Sequence, residues 1–290
     1  MTLSEYLRSA TAEHWAVPHI NVSNLLQLQA IAEAAREHSA PVMIGTSEGE
    51  ADFFGEALTA PLVRAVAEAY QVPLFLNADH YHSVERARGA IDHGYRSLAI
   101  DLSKLSYEDN VRGVSEVVSM SKLIGEPVSV EGEIGSIVTD SSKIYKEVIE
   151  VPEETLTTPE QATAFVEATG VARLAIAGGE RHGIAANKKK IDNKRIANIR
   201  AVVPEAVALV LHGGSGLTDK QFKDAIAAGI SNIHVSTNVR VIYRTALEQS
   251  LKEHPDEAAP YKYERPVRDA VRDEIAHIIS VFGASGRAAK

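Results

Sequence analysis

Short runs of apolar, β-branched residues alternate along this chain with longer stretches whose apolar positions recur at helical spacing. The short runs predict strands at 17–22 (VPHINV), 41–46 (PVMIGT), 73–79 (PLFLNAD), 97–102 (SLAIDL), 128–134 (VSVEGEI), 173–178 (RLAIAG), 208–213 (ALVLHG) and 232–237 (NIHVST). The Ala-, Glu- and Arg-rich stretches between them predict helices at 24–38, 56–70, 83–93, 108–124, 159–169, 191–201 and 218–228. Strands of this kind separated by helices imply βαβ units and a parallel sheet.

Eight units are the number that closes a (β/α)8 TIM barrel, which typically takes about 250 residues. The 290 residues here fit one such barrel with extensions, a single α/β domain over 1–290. A doubly wound open sheet is the competing arrangement, and no linker or composition break divides the chain. Two segments stand outside the repeat. Residues 135–157 form a βα connection long enough to act as a lid. Residues 261–282, after a proline, predict a terminal helix that covers the barrel or meets another subunit.

Nearly every predicted strand ends in a polar side chain with chemical potential. Asn21 closes the first, Ser47 follows the second, and Asp79-His80 ends the third. Asp101 and Ser103 follow the fourth, and Glu131 and Glu133 lie on the fifth. His182 follows the sixth, His212 the seventh, and His234, Ser236 and Thr237 mark the eighth. A barrel builds its site at the carboxyl ends of its strands, so these residues should converge. His80, His182 and His212, from three strands, suit a catalytic zinc ion with an open position, or Co2+, Fe2+ or Mn2+. Asp79, beside one of them, is either a proton-transfer group or a carboxylate orienting a ligand histidine. The HGGSG run, 212–216, precedes a helix. Its backbone N–H groups, with Gly213, Gly214, Ser215, Ser236 and Thr237, suit a phosphate. His82 is expected to be incidental. The lysines at 188–190 are expected to form a solvated loop, with a role in steering an anion.

Composition narrows the partners. A formal net charge of −9 argues against nucleic acid and anionic membranes, which select basic surfaces. With no cysteine, a metal must use His, Asp or Glu, and a reducing cytoplasm is the expected compartment. The N-terminus is acidic and lacks the apolar core of a signal peptide. No apolar run approaches the roughly 20 residues needed to span a bilayer.

Together these motifs resemble the class II fructose-bisphosphate/tagatose-bisphosphate aldolase family over nearly the whole chain. AVPHINVSN, NADH (77–80) followed by Ser83, IDLS (100–103), VEGEIG (130–135), LAIAGGERHG, LVLHGGSG and NIHVST are similar to its motifs, in order. The resemblance implies zinc on His80, His182 and His212, with Glu133 as alternate ligand and Asp101 at a second metal position. It implies Asp79 as the group that takes the proton of the ketose C4 hydroxyl. Gly183, Gly213, Ser215, Ser236 and Thr237 would hold the phosphate of dihydroxyacetone phosphate, with Asn21, Ser47 and His234 lining the pocket. It also implies a phosphorylated-sugar substrate, a monovalent cation, and a homodimer or homotetramer. Three departures stand out. His234 replaces an asparagine of the family. Glu180 stands where the family usually has a small or hydroxyl residue, and Arg181 is also unusual. The acidic cluster after the fifth strand is missing, with Asp140 and Glu147 as candidate replacements. A metal hydrolase on the same barrel and a non-catalytic sugar-phosphate sensor are the competing functions.

Overall fold

The computed structural model describes residues 1–139, 142–187 and 189–288. Eight parallel strands close in sequence order: β1 (Val17–Asn21), β2 (Val42–Ser47), β3 (Leu74–Tyr81), β4 (Ser97–Ile100), β5 (Ser129–Ile134), β6 (Arg173–Ile176), β7 (Ala208–Leu211) and β8 (Ile230–Val235). β8 pairs back onto β1 with Val17 beside Asn232. A helix follows each strand, as the alternation predicts. Asn24, Ser83, Ser106, Thr158, Asp192 and Thr218 cap helices by accepting a backbone N–H of the first turn. Such short polar side chains satisfy donors that a helix cannot, and here they place helix starts around one rim.

β4, β6 and β7 stop two residues earlier than their patterns suggest, so Asp101, His212 and their neighbours stand just beyond the ladder. Three helices that the pattern does not predict also form. Leu3–Glu13 packs against β1, β7 and β8. Glu48–Phe54 opens with a capping box between Ser47 and Glu50, and Thr237–Glu253 follows β8. The C-terminal segment splits into Pro260–Tyr263 and Arg265–Val281. The longer helix lies against Leu25–His38 and Thr237–Glu253, covering the barrel flank.

Bulky aliphatic residues usually fill such a barrel, but one layer here is polar. Arg173 is wholly buried, and its guanidinium pairs with Glu131 at 2.8 Å. It also donates to Asn77 Oδ1 at 2.9 Å and Ser97 Oγ at 2.6 Å. Asn77 donates to Nε2 of the buried His19 at 3.0 Å. Such a layer tolerates burial because its charges are paired and hydrogen-bonded. Gly45 on β2 makes room for it, since a Cβ there would lie 2.2 Å from His19 Cε1. Gly45→Ala is expected to destabilise the protein by about 1–3 kcal/mol through overpacking, read as a lowered urea midpoint. An unchanged midpoint would mean that the His19 ring moves aside freely.

Candidate active site

The carboxyl ends of the strands surround a cavity of about 390 Å³. Asn21, Ser47, Asp79, His80, Asp101, Glu133, His182, Gly183, His212, Gly213, Ser215, His234, Ser236 and Thr237 all line it. Gly214 does not. Its N–H donates to the carbonyl of His234 at 3.0 Å, and its α-carbon lies against that strand.

Local backbone geometry explains how neighbouring Asp79 and His80 both serve the site. The β3–β4 register shifts between Ala78 and Tyr81, and His80 has φ of 51°. That left-handed turn costs a non-glycine residue of the order of 1 kcal/mol. It breaks the alternation that would send the two side chains to opposite faces. Strain of this kind concentrates at functional sites.

Donor atoms of His80, His182 and His212 lie within 4.8 Å of one another. His80 Nδ1 faces Asp101 Oδ2 at 3.1 Å and Glu133 Oε2 at 3.6 Å. His212 Nε2 faces Glu131 Oε1 at 2.6 Å. These carboxylates place the imidazole protons on the outer nitrogens. The inner pair, His80 Nε2 and His212 Nδ1, then directs two lone pairs at each other across 2.7 Å. Only a cation or an extra proton makes that approach favourable. The set therefore fits a divalent ion. Protonation of His80 or of His212 meets the same need. Burial opposes it, but Asp79, Asp101 and Glu133 raise His80 to about 10. Burial, then the charges of His80 and His212, hold His182 well below the imidazole range. Burial, then Asp101, push Glu133 up to about 7.

Asp79 is buried at the cavity floor with two donors. Asn21 Nδ2 reaches Oδ2 at 2.8 Å and His234 Nδ1 reaches Oδ1 at 3.1 Å. Burial alone would raise its pKa, but His80, His19 and His234 hold it well below the carboxylate range. His234 stacks flat on His19, with ring centroids 3.6 Å apart and planes 10° apart. Burial, then His19 and His212, keep His234 well below its ordinary value. Neutral His234 with its proton on Nδ1 is thus a hydrogen-bond donor to Asp79.

The rest of the mouth corrects several expectations. His82 is not in the three-histidine group but lines the cavity, 3.4 Å from Glu48. Asp140 lies outside the described residues. Glu147 is exposed and does not line the cavity, where the loop instead contributes Ser136, Ile137 and Thr139. Glu180 turns inward to accept the Gly178 N–H at 2.8 Å, shaping the His182 loop. Lys188 lies outside the described residues, but Lys189 is buried, not solvated. Sequence reasoning passed over Arg240 and Lys104, which line the cavity with positive charge. Arg240 is held at 2.5 Å from Glu50. No pattern marked it, because it lies one turn inside a helix that the strand-end rule does not reach.

The family model for class II fructose-bisphosphate aldolase matches residues 1–287. The chain is 34% identical to a fructose-bisphosphate aldolase of Thermus caldophilus, over 98% of each protein. It is also similar to the YdjI aldolase of Escherichia coli K12, a crystal structure at 30% identity and a TM-score of 0.83, covering 99% of both chains. Among the described residues no helix is long and apolar enough to cross a membrane.

Proposed function

The chain belongs to the class II fructose-bisphosphate aldolase family, whose members are metal-dependent lyases of phosphorylated sugars, and on that premise we propose a zinc enzyme that cleaves fructose 1,6-bisphosphate. Its products are dihydroxyacetone phosphate and glyceraldehyde 3-phosphate. The observation that carries the proposal is the facing lone pairs of His80 and His212, with Asp79 bound to its own donors beside them. His80, His182 and His212 would hold the ion, and Glu133 and Asp101 are the carboxylates within reach. When bound, a divalent ion supplies Lewis-acid polarisation of the substrate ketone.

The chain's own groups do the rest. Asp79 is ionised, and Asn21 and His234 leave it lone pairs directed at the cavity. It accepts the proton of the C4 hydroxyl as the C3–C4 bond breaks. The C4 oxygen becomes the aldehyde carbonyl, and the bonding electron pair passes toward the ketone. C3 of the three-carbon fragment then takes a proton from solvent, and Asp79 releases to solvent the one it accepted, so the cycle closes without net change in protons. Gly183, Gly213, Ser215, Ser236 and Thr237 lie where they would hold one phosphate, next to the start of the helix Thr237–Glu253. Arg240 and Lys104 are the cations available to the second.

The test is release of dihydroxyacetone phosphate from fructose 1,6-bisphosphate by zinc-loaded protein, with and without a chelator. Cleavage that the chelator abolishes is expected. If no release occurs with zinc bound, the same assay on tagatose 1,6-bisphosphate and shorter ketose 1-phosphates decides whether the substrate or the chemistry was misassigned. Failure on all of them would leave a sugar-phosphate sensor.

A further inference from the structure

Lys189 is buried, only 4% exposed, with no carboxylate in ion-pair contact among the described residues. A buried lysine normally has such a partner. Its Nζ instead donates to two backbone carbonyls of the glycine-rich loop, Gly213 at 2.5 Å and Ser215. Its own carbonyl accepts from Gln221 Nε2 at 2.8 Å, and Gln221 belongs to the capping box of the helix Asp219–Ala227. The ammonium is thereby fixed from both ends of its residue.

Converging backbone carbonyls are how proteins replace the hydration shell of a monovalent cation. Here that position is filled by a side chain, so a separate ion on these carbonyls does not fit. We propose that the Lys189 ammonium is a built-in monovalent cation of the glycine-rich loop, replacing a bound potassium or sodium ion and supporting the binding of the substrate phosphate. The inference rests on the assignment of Gly213 and Ser215 to a phosphate site. Its physical role is to neutralise two carbonyl dipoles whose oxygens would otherwise repel an anion. The need is real in this cavity, which Asp79, Asp101 and Glu133 also line. Burial, then Arg181, bring Lys189 down to about 7 against the pull of Glu180. An arriving phosphate favours the charged form.

The experiment is calorimetric titration of full-length, zinc-saturated protein with inorganic phosphate. It is run in potassium chloride and in tetramethylammonium chloride at equal ionic strength. The wild type is expected to bind within twofold in both salts. Lys189→Ala is expected to bind at least tenfold more weakly in tetramethylammonium, with potassium or ammonium restoring most of the loss. Lys189→Met, which keeps the aliphatic stem, should show the loss without rescue, because the stem still fills the site. A wild type that loses tenfold on removal of potassium would overturn the proposal, and that arm decides even if neither variant folds. So would a Lys189→Ala protein that binds like the wild type in tetramethylammonium, or one that neither cation rescues. A wild type that binds no phosphate in either salt would instead sink the phosphate-site assignment, and this inference with it.

Discussion

Asp79→Ala is expected to lower aldol cleavage by about 10²–10⁴-fold, the range of a positioned proton-transfer group, while one zinc ion per chain remains bound. The two halves of that outcome have separate causes. Asp79 touches His234 and Asn21 through its oxygens, and its hydrogen bonds do not involve His80, His182 or His212. The donor set should therefore survive its removal. The proton of the C4 hydroxyl, however, loses its acceptor, and no second carboxylate holds an equivalent place between Asn21 and His234. Leaving the buried His234 Nδ1–H and one N–H of Asn21 unpaired, while Asn21 keeps its bond to Glu50, should also cost about 1–3 kcal/mol of stability. Turnover on fructose 1,6-bisphosphate, together with metal content by mass spectrometry, checks the prediction. Wild-type turnover would refute the role of Asp79. Loss of zinc would make it an orienting group for the metal site instead.

His80→Ala separates the same functions from the other side. Changing a group that merely orients a metal ligand typically costs 10–100-fold in affinity. Removing a ligand should cost more, so zinc is expected to fall well below one per chain after dialysis, with cleavage lost in proportion. His80 presents Nε2 to the centre and Nδ1 to Asp101 and Glu133. Its loss takes away one of three nitrogen donors and leaves two carboxylates side by side. If the variant keeps full zinc occupancy, the three-histidine assignment is wrong. The group His80, Asp101 and Glu133 would be affected as well, so retained zinc would have to sit on Glu131, His212 and His234 or on His19, Asp79 and His234.

Both predictions use residues that were legible before any coordinates. The alternation of strand and helix marked eight units, and the strand-end rule pointed to Asn21, Asp79, His80, Asp101, Glu133, His182, His212 and His234. All of these line one cavity. The legible part has a local cause. Strand and helix periods are set by neighbouring residues, and a barrel turns the order of its strands into a ring of termini. Gly214 was misplaced by the same reasoning, because adjacency to HGGSG does not say which N–H groups are already taken by β8.

What the sequence determined alone was the barrel, the place of its mouth and the chemical types gathered there. Tertiary structure decided how those groups are joined. Asp79 and His80 share one side only because the backbone at His80 turns left-handed. His212 is oriented by Glu131, which is itself held by Arg173 from another strand. His234 is backed by His19, whose ring fits only because Gly45 lacks a Cβ. Lys189 read as one of three lysines in a solvated loop, yet its ammonium is buried on two carbonyls 24 and 26 positions away. Apart from the turn at His80, each of these is a contact between residues distant in the chain. Periodicity records which face of its own element a residue occupies, whereas the partner across the barrel is fixed only when the ring of strands closes.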